Sequence, residues 1–169
     1  MNNKINKMTF TSLIAAVYFV FCFIEQSFAS GSIQCRLSEA LTLLPLIFPE
    51  AIIGVTIGCL IFNVTQGIIF DVIFGTLATF ISAFLTYLIG KNIKNTALKI
   101  FVGGLFPVFI NALIIPIVLI LGYDVEEMYL LLSLKIAIGQ IIEIYGVGTF
   151  VYLGINRFYN DRQEINISN

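Results

Sequence analysis

Residues 100–121 read IFVGGLFPVFINALIIPIVLIL and contain no charged side chain. A helix that crosses a bilayer needs about 20 predominantly apolar residues, because every backbone amide in the hydrocarbon layer must be hydrogen-bonded within the helix. This stretch has that length and that composition. It therefore predicts a membrane-spanning helix, and an integral membrane protein is the first expectation for the chain.

Five further apolar segments accompany this one, at residues 8–24, 37–48, 51–64, 68–89 and 128–153. Together the six predict an all-α fold, a polytopic membrane helical bundle with six transmembrane helices. We expect one domain over residues 1–155 and a short polar cytoplasmic tail at residues 156–169. The second segment is short for a span, so residues 37–64 fit either two full spans or one re-entrant hairpin.

The composition agrees with a surface that faces lipid. Hydrophobic residues make up 59% of the chain and charged residues 11%, whereas a soluble domain carries about 25% charged residues. The net charge is −1, which gives no basic field for nucleic acid. The chain has no histidine and no Cys-x-x-C pair, so the usual zinc ligands and histidine-based triads are missing. We expect no metal, no cofactor and no catalytic residue.

Lysine and arginine fall on one side of a six-span bundle. Lys4 and Lys7 precede the first segment, residues 91–99 carry three lysines, and Arg157 and Arg162 follow the last segment. Cytoplasmic loops are enriched in these residues, so both termini are expected in the cytoplasm. The expected localisation is a multi-pass protein of a cell membrane, the bacterial plasma membrane.

The first segment allows two interpretations. It follows two lysines and precedes Ser27–Ala29, as the apolar part of a cleavable signal peptide would. The run of about 17 residues is longer than that part usually is. Small residues also recur at helical spacing in Thr11-x-x-x-Ala15 and Ser12-x-x-x-Ala16, which is typical of a helix that packs closely. We therefore expect a retained helix.

The last segment carries the densest set of polar residues. A charged side chain at mid-bilayer costs about 2.5–3.5 kcal/mol on insertion scales, so it usually faces a cavity or another polar group. At helical spacing, Lys135, Gln140 and Glu143 fall within one sector of the helix. A Lys–Glu pair that only locks the bundle is the alternative to a solute site. Gln140 favours the site, because its amide adds hydrogen-bonding capacity that a pair does not need.

Other segments add further candidates. Arg36 and Glu39 are three residues apart, so they either form an interfacial salt bridge or face a solute. Asp71 heads a stripe of small residues that is typical of helix packing, and it is also a candidate site or gate residue. Asn63 either caps a helix or contacts solute. With Asn111, the predicted substrate-binding residues are Arg36, Glu39, Asn63, Asp71, Asn111, Lys135, Gln140 and Glu143.

Residues 33–45, IQCRLSEALTLLP, resemble the signature of the queuosine precursor transporter (QueT) family. Residues 71–79, DVIFGTLAT, continue this resemblance. Further matches are Gly58-Cys59 with Asn63, Pro107-Val108 with Asn111-Ala112, and Ile138-Gly139-Gln140. The resemblance covers about residues 9–153. It implies the substrate-binding S-component of an energy-coupling factor (ECF) ABC transporter, which docks on a membrane coupling subunit driven by two ATPase subunits.

The resemblance also implies site and partner residues. Docking on the coupling subunit is expected at Thr11, Ser12, Ala15 and Ala16, the nearest equivalents of the family's Ala-x-x-x-Ala motif. The implied ligand is a 7-deazaguanine such as preQ1, preQ0 or queuine. Glu39 or Glu143 would accept its adjacent donors, and Gln140 or Asn111 would bind its carbonyl. Tyr18 or Tyr145 could stack on it. Gln140 stands where many relatives have glutamate, so the choice of base stays open.

Three other functions are weighed against this one. A stand-alone secondary transporter would couple protons through Lys135, Glu143 and Asp71. An S-component for another vitamin-like solute would use the same fold. A membrane-embedded enzyme acting on lipid would need clustered acidic metal ligands such as D-x-x-D, which the sequence does not contain. The chain has no P-loop for ATP, so an ATP-driven importer would require its partners to hydrolyse ATP.

Overall fold

The computed structural model describes residues 3–26 and 37–168. Helix α1 (Asn3–Gln26) is followed by a 3-10 helix at Leu37–Leu46 and then by α2 (Glu50–Gln66). A π-helical turn at Asp71–Gly75 leads into α3 (Thr76–Asn92), and α4 (Thr96–Gly122) comes next. Helix α5 (Tyr129–Ile141) continues through a π-helical segment at Ile142–Gly148 into α6 (Thr149–Ser168). The described residues contain no strand. The predicted all-α bundle with six apolar segments is confirmed, and residues 156–168 prolong the last helix.

Four of the described helices are long and apolar enough to cross a membrane. The 3-10 helix and α2 are shorter apolar helices. The contacts at their ends show how far each of them extends along α1. The long helices are Lys4–Gln26, Asp71–Asn92, Thr96–Gly122 and Tyr129–Tyr159.

Residues 38–50, most of which form the 3-10 helix, run along α1 from Glu25 to Lys7. At one end the backbone N–H of Ser38 donates to Glu25 Oε1 at 2.8 Å. Just past the other end, Glu50 pairs with Lys7 at 2.9 Å. A 3-10 helix rises about 2.0 Å per residue and an α-helix about 1.5 Å. The 3-10 helix rises about 16 Å from Ser38 to Leu46, and residues 47–50 carry the chain on towards Lys7, which lies about 27 Å from Glu25 along α1.

Helix α2 returns along the same neighbour. It starts at Glu50 beside Lys7, and near its end the amides of Gln66 and Gln26 bond each other reciprocally at 2.9 and 3.1 Å. The two short segments are thus antiparallel passes along the part of α1 that lies between Lys7 and Gln26. This geometry favours two full passes over a shallow re-entrant hairpin.

Close approach of α1 and α2 depends on two glycines four residues apart. A Cβ atom at Gly54 would lie 2.8 Å from Ile14 Cβ and 3.0 Å from the Thr11 carbonyl oxygen. A Cβ atom at Gly58 would lie 2.7 Å from the carbonyl oxygen of Ala15. The Thr11-x-x-x-Ala15 face of α1 therefore packs inside the chain, while Ser12 and Ala16 are exposed on its outer side.

The stripe of small residues along α3 is buried, as its spacing predicted. Gly75, Ala78, Ser82 and Thr86 all face the interior. Thr86 Oγ1 donates to the carbonyl oxygen of Gly103 in α4 at 3.0 Å, which fastens the two helices together. Helix α3 also packs against the 3-10 helix and α2, which carry the polar residues Glu39 and Asn63.

Candidate functional site

Six of the eight predicted binding residues are buried, each with at most 5% of its surface exposed. Arg36 lies outside the described residues. Lys135 is half-buried and donates to Glu127 Oε2 at 2.6 Å, in the loop before α5, so its charge is paired with Glu127 rather than with Glu143. The six buried residues are Glu39, Asn63, Asp71, Asn111, Gln140 and Glu143.

Glu39 is buried inside the bundle, and donors from two helices bind its carboxylate. The hydroxyl of Tyr18 in α1 donates to Oε1 at 2.7 Å, and Asn111 Nδ2 in α4 donates to Oε2 at 3.2 Å. Within the 3-10 helix, Thr42 Oγ1 donates to the Glu39 carbonyl oxygen at 2.5 Å. We call Tyr18, Glu39 and Asn111 the Glu39 site. It brings together two residues predicted from widely separated segments.

The two tyrosines considered for stacking have other roles in the structure. Tyr18 is 1% exposed and contributes its hydroxyl to the Glu39 site. Tyr145 donates its hydroxyl to the carbonyl oxygen of Phe101 at 2.7 Å, so it ties the π-helical segment to α4. The sequence offered one signal for Tyr18, namely that a buried tyrosine usually finds a hydrogen-bond partner.

Gln140 and Glu143 face the interior from the last helical rod. Both are buried, whereas the intervening Ile141 and Ile142 are exposed, at 47% and 58%. Gln140 Oε1 is buried and has no hydrogen-bond partner within the part of the chain that the structure describes. A buried amide oxygen without a donor is costly, so this atom is suited to accept a hydrogen bond from a ligand.

The π-helical segment that carries Glu143 packs against the same elements as the Glu39 site. A Cβ atom at Gly148 would lie 3.2 Å from the Ala40 carbonyl oxygen in the 3-10 helix. A Cβ atom at Gly104 in α4 would lie 2.9 Å from Ile144 Cγ2. Glu143 lies on this segment and Gln140 lies just before it, at the end of α5. The segment adjoins the 3-10 helix, which carries Glu39, and α4, which carries Asn111.

A second polar cluster lies where α2 ends and α3 begins. Asn63 Nδ2 donates to the Asp71 carbonyl oxygen at 2.9 Å and lies 3.3 Å from both Thr76 Oγ1 and Cys59 Sγ. The Tyr123 hydroxyl, just beyond α4, donates to Asp71 Oδ2 at 3.0 Å. We call Asn63, Asp71, Thr76 and Tyr123 the Asn63–Asp71 cluster. Sequence reasoning missed Tyr123, because it lies in a loop.

An apolar groove of about 1050 Å³ opens at the opposite end of the bundle, beside the Lys7–Glu50 pair. Among the residues that the structure describes, none of the predicted binding residues lines it. Its walls come from the first half of α1, the end of the 3-10 helix and α6, and include Phe10, Leu13, Leu44, Phe48 and Phe158. This groove is a hydrophobic surface rather than a site for a polar solute.

Comparison with known proteins agrees with the resemblance found in the sequence. A family model described as QueT transporter matches residues 8–157, which include all six apolar segments. Neither a curated protein nor a solved structure matches the chain. The family match and the apolar helices give a multi-pass membrane protein that transports a small molecule, a role that implies no catalysis by the chain itself. The chain belongs to the QueT transporter family.

Proposed function

We propose that this chain is the substrate-binding S-component of an ECF-type importer and that it captures a queuosine precursor at the extracellular side. The ligand class is a 7-deazaguanine base such as preQ1, preQ0 or queuine. One observation carries the proposal beyond the family: the buried Glu39 carboxylate, held by Tyr18 and Asn111 from two helices. In this orientation the Lys7–Glu50 end is cytoplasmic, and the Asn63–Asp71 cluster lies towards the outside.

The buried groups match the hydrogen-bonding edge of such a base. A guanine-like edge presents two adjacent N–H donors, which one carboxylate accepts together, and a carbonyl that needs a donor. Glu39 or Glu143 supplies the carboxylate, and the amide of Asn111 or Gln140 supplies the donor. Gln140 Oε1, which has no hydrogen-bond partner among the described residues, can accept a further ring or amino N–H. In this proposal the acids and amides together form a site whose hydrogen-bonding groups match those of a purine-like base.

Binding of the base by the isolated chain tests this proposal. We expect the purified protein, without ATP or partner subunits, to bind one of preQ1, preQ0 or queuine saturably in isothermal titration calorimetry. Adenine is the matched control, because it lacks the carbonyl and the adjacent N–H pair of guanine. Absence of heat with all three 7-deazaguanines, from protein that unfolds cooperatively, would contradict the proposal.

The coupling subunit is proposed to dock on the outer face of α1. Ser12 and Ala16 are exposed there, whereas Thr11 and Ala15 turn towards α2 and support this face from behind. The apolar groove between α1 and α6 continues it at the cytoplasmic end. Small side chains on an exposed membrane helix permit the close approach of another helix. Docking would join the solute-binding chain to two ATPase subunits.

Replacing Ala16 with leucine separates docking from binding. Ala16 is exposed, so Ala16→Leu is expected to leave the unfolding temperature and ligand affinity unchanged. Uptake by cells that contain the coupling and ATPase subunits should fall about tenfold or more, because the larger side chain prevents close approach of the partner. Leu113→Phe, at an exposed position of α4 outside the proposed docking surface, is the control for added bulk. Normal uptake by cells that carry Ala16→Leu would show that the coupling subunit docks on another surface.

A further inference from the structure

Helix α4 contains two prolines, and each removes one backbone hydrogen bond of the helix. Pro107 and Pro116 both lie inside α4 and are buried. Proline has no N–H, so the carbonyl four residues earlier loses its donor. The two carbonyls affected belong to Gly103 and Ala112. Inside a membrane such a carbonyl needs another donor, which a serine or threonine side chain of a neighbouring helix can supply.

In both places a hydroxyl from a neighbouring helix supplies the missing donor. Thr86 Oγ1 of α3 donates to the Gly103 carbonyl oxygen at 3.0 Å. Ser133 Oγ of α5 donates to the Ala112 carbonyl oxygen at 2.7 Å. The two interior prolines of α4 are thus compensated by hydroxyls from two different helices, which link α4 to α3 at one level and to α5 at another.

The bond from Ser133 lies beside the candidate site. Ala112 directly follows Asn111, whose amide donates to Glu39 Oε2. On α5, Gln140 comes seven residues after Ser133, which is about two helical turns, so the two side chains lie on the same face of the helix. The Ser133 hydroxyl therefore joins the helix that carries Asn111 to the helix that carries Gln140, next to Asn111 itself.

Tyr129 adds a second bond between the same two helices. It lies four residues before Ser133, and its hydroxyl donates to the Leu113 carbonyl oxygen at 2.9 Å. Helix α5 thus donates to two successive carbonyls of α4, in the turn that Pro116 interrupts. Two such bonds resist sliding of one helix along the other more than a single bond does.

We propose that Ser133 is a positioning residue for the ligand site. Its hydroxyl replaces the donor that Pro116 lacks, and in doing so it fixes Asn111 relative to Gln140. This inference rests on the proposed function, in which these two amides contact the base. Without the hydroxyl, the Ala112 carbonyl loses this donor, the turn before Pro116 loosens, and Asn111 moves with it.

Hydrogen exchange of the ligand-free chain in detergent provides the first test. Ser133→Ala is expected to speed amide exchange in residues 108–115 about tenfold, because losing the hydrogen bond makes local opening easier. Ser133→Thr keeps a hydroxyl and should keep the slow exchange. Thr86→Val is the matched control, because it removes the same kind of bond eight residues before Asn111. It should speed exchange around Gly103 only. Unchanged exchange of residues 108–115 in Ser133→Ala would overturn the proposal.

Calorimetry with the base that binds the wild-type chain provides the second test. Ser133→Ala should bind it about tenfold more weakly, whereas Ser133→Thr and Thr86→Val should stay within about twofold of the wild type. Equal losses in Ser133→Ala and Thr86→Val would assign the effect to general destabilisation and would contradict the positioning role. A wild-type chain that binds none of the bases contradicts the proposed function instead, and hydrogen exchange then decides the role of Ser133.

Replacing Pro116 tests the physical reason for the bond. Pro116→Ala restores the N–H that donates to the Ala112 carbonyl oxygen in a regular helix. Ser133→Ala should lower the unfolding midpoint by about 2–4 °C in the chain with Pro116, and by less than half as much in the Pro116→Ala chain. Equal falls in both chains would show that the hydroxyl does not replace the missing donor, which overturns the proposal. If Pro116→Ala does not fold, the exchange difference between Ser133→Ala and Ser133→Thr decides.

Discussion

Glu39→Gln is expected to weaken binding of the 7-deazaguanine base about 100-fold or more while the bundle stays folded. Glutamine has nearly the same shape, but its amide nitrogen must face either the Tyr18 hydroxyl or Asn111 Nδ2, both of which now donate to the carboxylate. The ligand also loses a charged acceptor. A hydrogen bond to a charged group contributes about 1.5–3 kcal/mol, so losing two corresponds to a factor of 100 or more. Calorimetry with the purified variant measures this loss.

Two further variants show whether the carboxylate itself is responsible. Tyr18→Phe keeps the charge and removes one supporting hydrogen bond, so it should lower affinity only about tenfold. Glu126→Gln neutralises an exposed acid in the loop between α4 and α5 and should leave affinity unchanged. If Glu39→Gln binds as tightly as the wild-type chain, Glu39 is not the acceptor and Glu143 takes its place as the first candidate.

Gly58→Leu is expected to destabilise the fold more than any other substitution considered for this chain. The new side chain would start 2.7 Å from the Ala15 carbonyl oxygen and 2.8 Å from Tyr18 Cβ. The backbone of α1 at Ala15 cannot move aside without separating α1 from α2. Overpacking of this kind costs about 1–3 kcal/mol, which lowers the unfolding midpoint by about 2–12 °C. Displacement of Tyr18 should also reduce ligand binding.

Gly154→Leu is the control, because a Cβ atom at Gly154 has open space around it. Both substitutions remove a helical glycine and add the same apolar side chain, so the difference between their unfolding midpoints isolates the contact with α1. Equal midpoints would mean that α1 and α2 can separate without cost. In that case the contact between α1 and α2 would not be what holds Tyr18 against Glu39.

The sequence predicted the helical bundle and its six segments because hydrophobicity and length alone determine which stretches can lie in lipid. It did not predict the local helix types. Among the described residues, the three buried acids lie outside regular α-helix: Glu39 in the 3-10 helix, and Asp71 and Glu143 in the two π-helical segments. Such departures depend on how neighbouring helices pack, and they are frequent at functional sites.

The candidate site was predicted in its residue types but only partly in its pairings. Six residues that were chosen for polarity at membrane depth are buried, because the cost of exposing them to lipid acts on each one separately. Which ones meet depends on packing across the bundle, so the Glu39–Asn111 contact and the pairing of Lys135 with Glu127 were not foreseen. The glycines of Gly54-x-x-x-Gly58 were a readable signal for the α1–α2 contact.

The stretched helix that carries Glu39 also restricts how the chain can vary in length. With three residues per turn, Glu39, Thr42 and Pro45 project from the same side, and both ends are tied down, at Ser38 by Glu25 and at Glu50 by Lys7. One residue added between these ties would rotate everything on one side of it by about 120°. If the Glu50 end stays in place, the carboxylate turns away from Tyr18; if the Ser38 end stays in place, Thr42 and Pro45 turn away from the side on which Glu39 lies. The number of residues between Ser38 and Glu50 therefore determines how the Glu39 carboxylate is oriented relative to Tyr18 and to the rest of the 3-10 helix.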